Sequence, residues 1–110
     1  MTEEMEMICF QVISSAGGAK SNYVGAIQEA KAGNIDVAKS LVKDGDGYLN
    51  QAHDPHAKLL AQEAQLAVEG KNSADLVCLL LIHAEDQMMS CEVFKQLAVE
   101  LIDLYENHFN

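Results

Sequence analysis

The chain has 110 residues, room for one hydrophobic core but not for two domains or for an enzyme with a deep pocket of its own. Hydrophobic residues make up 49% and aromatics 5%, with no Trp and one Pro, a composition that predicts an all-α bundle of Leu, Ile, Val, Ala and Met. Seven basic residues against 17 acidic ones give a net charge of −10 with no basic cluster, which excludes nucleic acid and anionic membrane surfaces as expected partners and favours a basic protein.

Along the chain, Met1 to Glu6 is acidic where a signal peptide needs positive charge, and no apolar run reaches the roughly 18 residues of a membrane span. Helical periodicity then runs from about Glu4 to Ala32, with Ile8, Val12, Ala16, Tyr23, Ile27 and Ala30 near one stripe. Gly17 and Gly18 lie in its middle and predict close approach of a neighbouring helix, because glycine costs about 1 kcal/mol against alanine in a helix. Gly33 serves as the C-terminal stop and Asn34 as the next N-cap.

The second helix runs from Asn34 through Leu41, Leu49, Ala52, Leu59 and Leu60. Two breaker signals, Asp44-Gly45-Asp46-Gly47 and Asp54-Pro55, predict either one bent helix or two nearly collinear ones. The first is a poor calcium loop: it lacks a third ligand before its glycine, and the twelfth loop position is Pro55 rather than glutamate.

After the polar connection from Glu69 to Ser73, a third helix is expected from about Ala74 to His108, with Ser73 as its cap and Leu76 behind it. The i, i+3, i+4, i+7 stripe passes through Leu76, Leu79, Leu80, His83, Asp86, Gln87, Ser90, Val93, Phe94, Leu97, Leu101, Leu104 and Tyr105, so polar groups fall on the expected buried face. A second apolar set, Cys78, Ile82, Met88, Met89 and Val99, widens that surface and predicts oligomerisation through this helix. The cysteines Cys9, Cys78 and Cys91 are odd in number, lack CxxC spacing and sit in apolar stretches, as free thiols of a reducing cytoplasm do.

On a helix, His83, Asp86 and Gln87 project from one face, while Glu85 points elsewhere. A neutral imidazole is a competent nucleophile toward phosphorus, and Gln87 is placed to orient the ring or donate to phosphoryl oxygens. The bland alternative is a satisfied core histidine. Di-iron bundles require Glu-x-x-His pairs, which none of His53, His56, His83 and His108 forms, and no hydrolase triad or glycine-rich phosphate loop is present. His83 is left as the candidate reactive centre.

Four ordered blocks, Cys9 to Gly17 with Ala19-Lys20-Ser21, Glu29-Ala30-Lys31-Ala32-Gly33-Asn34, Leu49-Asn50-Gln51-Ala52-His53, and Ile82 to Met89, carry a resemblance along nearly the whole chain. It resembles the IIA component of the lactose/cellobiose (diacetylchitobiose) family of the bacterial phosphoenolpyruvate-dependent sugar phosphotransferase system. The resemblance implies a single domain over residues 1–110: an antiparallel three-helix bundle, assembled as a cytoplasmic homotrimer. It further implies a phosphocarrier that takes a phosphoryl group from phospho-HPr on His83 and passes it to a cognate IIB, serving a membrane IIC permease. Asp86 matches the family's metal-binding aspartate on the trimer axis. Three such carboxylates brought together repel, and protonation or a shared hard cation such as Mg²⁺ relieves them.

The family motif commonly reads His-Ala-Gln-Asp-His, whereas here Glu85 replaces the glutamine and Gln87 the second histidine. Gln87 cannot be phosphorylated or titrate, so phosphoryl acceptance or acid/base action by a second histidine is excluded. His53 is expected at a helix interface or on the rim of the site, and His56 and His108 at the surface or terminus without chemistry. Cellobiose or a related β-glucoside, lactose and chitobiose are all open as the sugar. The competing classes are a histidine phosphotransfer domain of two-component signalling, whose His-x-x-Lys-Gly is missing after His83, and a non-catalytic helical interaction module.

Overall fold

The computed structural model describes residues 1–71 and 77–109. It contains three helices, α1 Glu3–Lys31, α2 Ile35–Val68 and α3 Leu79–Asn107, in a rod of 58 × 21 × 20 Å. Neighbouring helices run antiparallel: Lys39, Asp46 and His56 along α2 pair with Glu106, Lys95 and Glu85 of α3 in descending order.

The helix ends follow from local chemistry. Thr2 Oγ1 accepts the Met5 N–H at 3.2 Å, and Glu3, Glu4 and Glu6 complement the positive end of α1. At the other end Gly33 takes φ +90°, and its N–H bonds to the Ala30 carbonyl while the Asn34 N–H reaches back to that of Glu29. This glycine-terminated stop recurs after α2, where Gly70 at φ +71° donates to Ala67 and Lys71 to Leu66. Asn34 occupies the N-cap of α2 as expected, yet its side chain donates to Glu29 Oε2 at 2.8 Å rather than capping the helix.

α2 is one continuous helix through both breaker signals. Pro55 removes a backbone donor within it, and its ring is buried in the bundle, so packing offsets the lost hydrogen bond. Gly45 is where a glycine is required: a Cβ there would lie 2.9 Å from Tyr23 Cε1 and 3.2 Å from Asn22 Cβ. The close approach expected at Gly17 and Gly18 holds only at Gly18, 3.5 Å from the Tyr48 ring, while Gly17 faces open space.

Beside that slot the Tyr23 hydroxyl donates to Asp46 Oδ1 at 2.5 Å, and Lys95 Nζ lies 3.2 Å from the same oxygen. One carboxylate thus ties all three helices. The core around it is made of small residues, Ala16, Ala19, Ala26, Ala30, Ala38, Ala52, Ala84 and Ala98, with Val12, Tyr23, Leu49 and Met88 filling the gaps; no polar or charged residue is buried among the described residues.

The third helix departs from expectation in two ways. It starts at Leu79 with Cys78 at the N-cap, and the expected start at Ala74, the Ser73 cap and Leu76 lie outside the described residues. Its buried face is Ala84, Met88, Cys91, Ala98 and Ile102, not the stripe through His83 and Asp86. Small side chains win that face because they let α3 approach α1 closely, and the polar groups stay hydrated at no desolvation cost. Met88 therefore belongs to the core, while Ile82, Met89 and Val99 of the second apolar set remain outside.

Candidate functional site

α3 begins without a side-chain cap, and His83 sits one turn in. Its imidazole is exposed and borders a shallow apolar hollow with Leu79 and Leu80. Asp86, one turn on, is also exposed, and Gln87 is half-buried. Residues three and four apart on a helix hold their Cβ atoms about 5–6 Å apart, so the three side chains share one face as expected. The Ser90 hydroxyl donates to the Gln87 carbonyl at 3.3 Å, leaving the Gln87 amide outside that bond.

Glu85 turns the other way, as the helical spacing requires. Its Oε1 lies 2.8 Å from Nε2 of His56 on α2, with the ring turned away from a straight hydrogen bond. Nε2 is shut off from solvent. This corrects the expectation of a surface His56; on α2 it is His53, three residues earlier, that is exposed rather than packed at an interface. The signal available in the sequence was Glu85 itself, an acid where the family commonly has glutamine, on the face turned from His83. His108 is exposed at the C-cap of α3, as expected of a terminal residue.

The cysteines have no reactive profile. Cys9 and Cys91 are fully buried, and burial pushes both thiols above their ordinary range, which favours the inert protonated form. Cys78 is partly exposed, and all three are free.

For a cation, one chain offers the single carboxylate of Asp86 on this face, and no group of three or more acidic, histidine or cysteine ligands occurs among the described residues. Its donor chemistry suits a hard cation, but a ligand set requires more than one copy of the chain. Along α3, Ile82, Asp86, Met89 and Val93 follow coiled-coil spacing, and the three apolar members are each more than half exposed.

The class defined by fold and site is a small helical-bundle subunit with one exposed histidine near the start of its last helix. The sequence matches the family model described as PTS system, lactose/cellobiose specific IIA subunit, over residues 7–106, and the chain belongs to that family. It is 36% identical to the lichenan-specific phosphotransferase enzyme IIA component of Bacillus subtilis, over 96% of this chain and 91% of that protein. The crystal structure of the cellobiose-specific enzyme IIA of Bacillus anthracis superposes with a TM-score of 0.81 at 34% identity, covering 96% of this chain and 92% of that one. The IIA(chitobiose)–HPr complex of Escherichia coli contains a chain similar to this one with a TM-score of 0.70 and 29% identity, covering 99% of this chain and all of that one (100%). The protein is thus a IIA phosphotransfer component of a sugar phosphotransferase system.

Proposed function

We propose that this IIA component takes a phosphoryl group from phospho-HPr on His83 and hands it to a cysteine of a cognate IIB. The observation that carries the reading is the exposed His83 imidazole, in the block Ile82 to Met89, within a chain of this family. A ring nitrogen of neutral His83 attacks phosphorus in line as the donor's nitrogen–phosphorus bond breaks, and one proton passes to the departing donor ring. The second step reverses these roles: the IIB thiolate attacks, and the His83 ring leaves. Such transfers are governed by positioning and by charge on the phosphoryl oxygens, which the Gln87 amide is placed to meet as a donor.

The solved HPr complex of a 29%-identical relative supports HPr as donor. The similar proteins are named for lichenan, lactose, cellobiose and chitobiose, which favours a β-linked disaccharide, cellobiose or lactose among them, brought in by a membrane IIC permease. No helix among the described residues is long and apolar enough to cross a membrane, in keeping with a cytoplasmic carrier that works beside that permease.

The exposed Ile82, Met89 and Val93 supply the seam of a homotrimer, with Asp86 at one of its inward positions. Three carboxylates there would be held together by a shared hard cation such as Mg²⁺, which would neutralise their repulsion.

The reading is tested by incubating the protein with phosphoenolpyruvate, enzyme I and HPr. An acid-labile adduct is expected on wild type and none on His83→Ala; an adduct that survives the substitution sinks the assignment.

A further inference from the structure

Resting on the phosphocarrier reading, we propose that His56 and Glu85 are positioning residues for His83. Their contact across the α2–α3 seam fixes the height and rotation of the α3 turn on which the reactive imidazole rides.

Among the described residues, little else local caps that turn. Cys78 occupies the N-cap without a side-chain bond to the helix, its thiol donating to Met1 Sδ at 3.9 Å, no acidic residue stands in the first turn, and Leu79 is 82% exposed. A helix start with neither cap nor charge complement leaves its amides to water and frays readily. His83 follows directly.

The remaining anchorage comes from packing and from α2. α3 leans mainly on α1 and meets α2 along a slighter seam. Among the described residues, close contacts of Lys39 with Glu106 at the far end, Asp46 with Lys95 in the middle, and His56 with Glu85 beside His83 cross that seam. Glu85 is two residues past His83, about 200° around the helix. The carboxylate is thereby directed at α2 while the imidazole faces outward.

The pair resists separation. His56 Nε2 has no solvent contact and no straight hydrogen bond, and Glu85 Oε1 lies against it at 2.8 Å, so removing the carboxylate takes away the polar contact that compensates a ring nitrogen shut off from water. Pro55, buried beside His56, limits the backbone freedom of that turn of α2. Glu63 of α2 borders the same cavity as Glu85. Because in-line transfer tolerates little misplacement, loosening this brace should slow chemistry without removing the nucleophile.

The test measures single-turnover transfer from saturating phospho-HPr to wild type, His56→Ala, Glu85→Ala, the double variant and Glu85→Gln, with thermal unfolding of each as a control. Both alanine variants should be slowed on the order of tenfold. The double variant should be no slower than either single one. Glu85→Gln keeps an oxygen for the ring and should return to within about twofold of wild type. Long-range ¹H–¹⁵N signals of the His83 ring should move in the alanine variants and not in Glu85→Gln.

Alanine variants as fast as wild type, additive losses in the double variant, or Glu85→Gln as slow as Glu85→Ala would each overturn the positioning role. If an alanine variant does not fold, the comparison of Glu85→Gln with His56→Gln decides: rescue is expected in the first and slowing in the second, and equal rates overturn it. A wild type that takes no phosphoryl group from phospho-HPr fails the carrier reading itself, and the positioning role falls with it.

Discussion

At the scale of single residues, the molecule keeps its titrating chemistry in two distinct environments. His83 and Asp86 stay in water, whereas Tyr23, Cys9 and Cys91 are sealed in the core. Burial, followed by the hydrogen bond to Asp46, pushes the Tyr23 phenol far above its ordinary 10.0, and burial likewise raises both thiols above 9.0. The folded state therefore holds these protons more tightly than the unfolded chain. Their contribution to stability is complete below about pH 9 and is lost progressively as pH rises. Melting temperature should fall from pH 9 upward, and Tyr23→Phe should flatten the part of that fall that begins near pH 10. At neutral pH the same variant should cost about 1.5–3 kcal/mol in denaturant unfolding, because it deletes a bond to a charged acceptor. Of the site, His83, Asp86 and Gln87 and their shared face were legible, since helical spacing alone dictates it. His56 was not: two residue types that each pass for surface groups become a half-buried pair only once α2 and α3 are placed side by side.

At the scale of elements, the long helices were legible from periodicity, and α1 and its glycine stop fall within a residue or two of expectation. For α2 both one helix and two were open, and the single helix is found because tertiary packing overrides the breaker propensity of Gly45, Gly47 and Pro55. The two glycines separate these effects. Gly47→Ala adds a Cβ that meets nothing within 4 Å, so it should stabilise by up to about 1 kcal/mol. Gly45→Ala drives a methyl into Tyr23 and should destabilise by about 1–3 kcal/mol despite the same gain in propensity. Paired urea titrations of the two variants check both signs. The buried face of α3 was the other error. Its larger leucines drew the expected core stripe toward His83, and nothing in a single chain distinguishes a stripe buried within the subunit from one left for a neighbour.

At the scale of the whole molecule, the isolated subunit is more extended than its length suggests. Its radius of gyration is 17.0 Å, against about 13 Å for a compact chain of this size. It exposes 6731 Å², against roughly 6,000 Å² for a typical monomer of 12.0 kDa. Both excesses suit a subunit made to be covered, and the proposed trimer predicts a light-scattering mass of three chains. A monomer would remove that proposal. Asp86→Leu should abolish the bound cation, read by elemental analysis, and should make assembly insensitive to chelator; retention of the metal would refute the axial site.

The slot at Gly45 has a consequence for how the rod is measured out. A seam lined by alanines offers many nearly equal ways for α1 and α2 to slide past one another, each burying similar area. Only one of them lets the Tyr23 ring drop into the gap a missing Cβ leaves and reach Asp46. Lys95 reaches that same oxygen, so α3 is tied to the identical point. The register of α1 against α2 is thus counted from one glycine, a datum mark far along the rod from the turn where His56 and Glu85 meet beside His83.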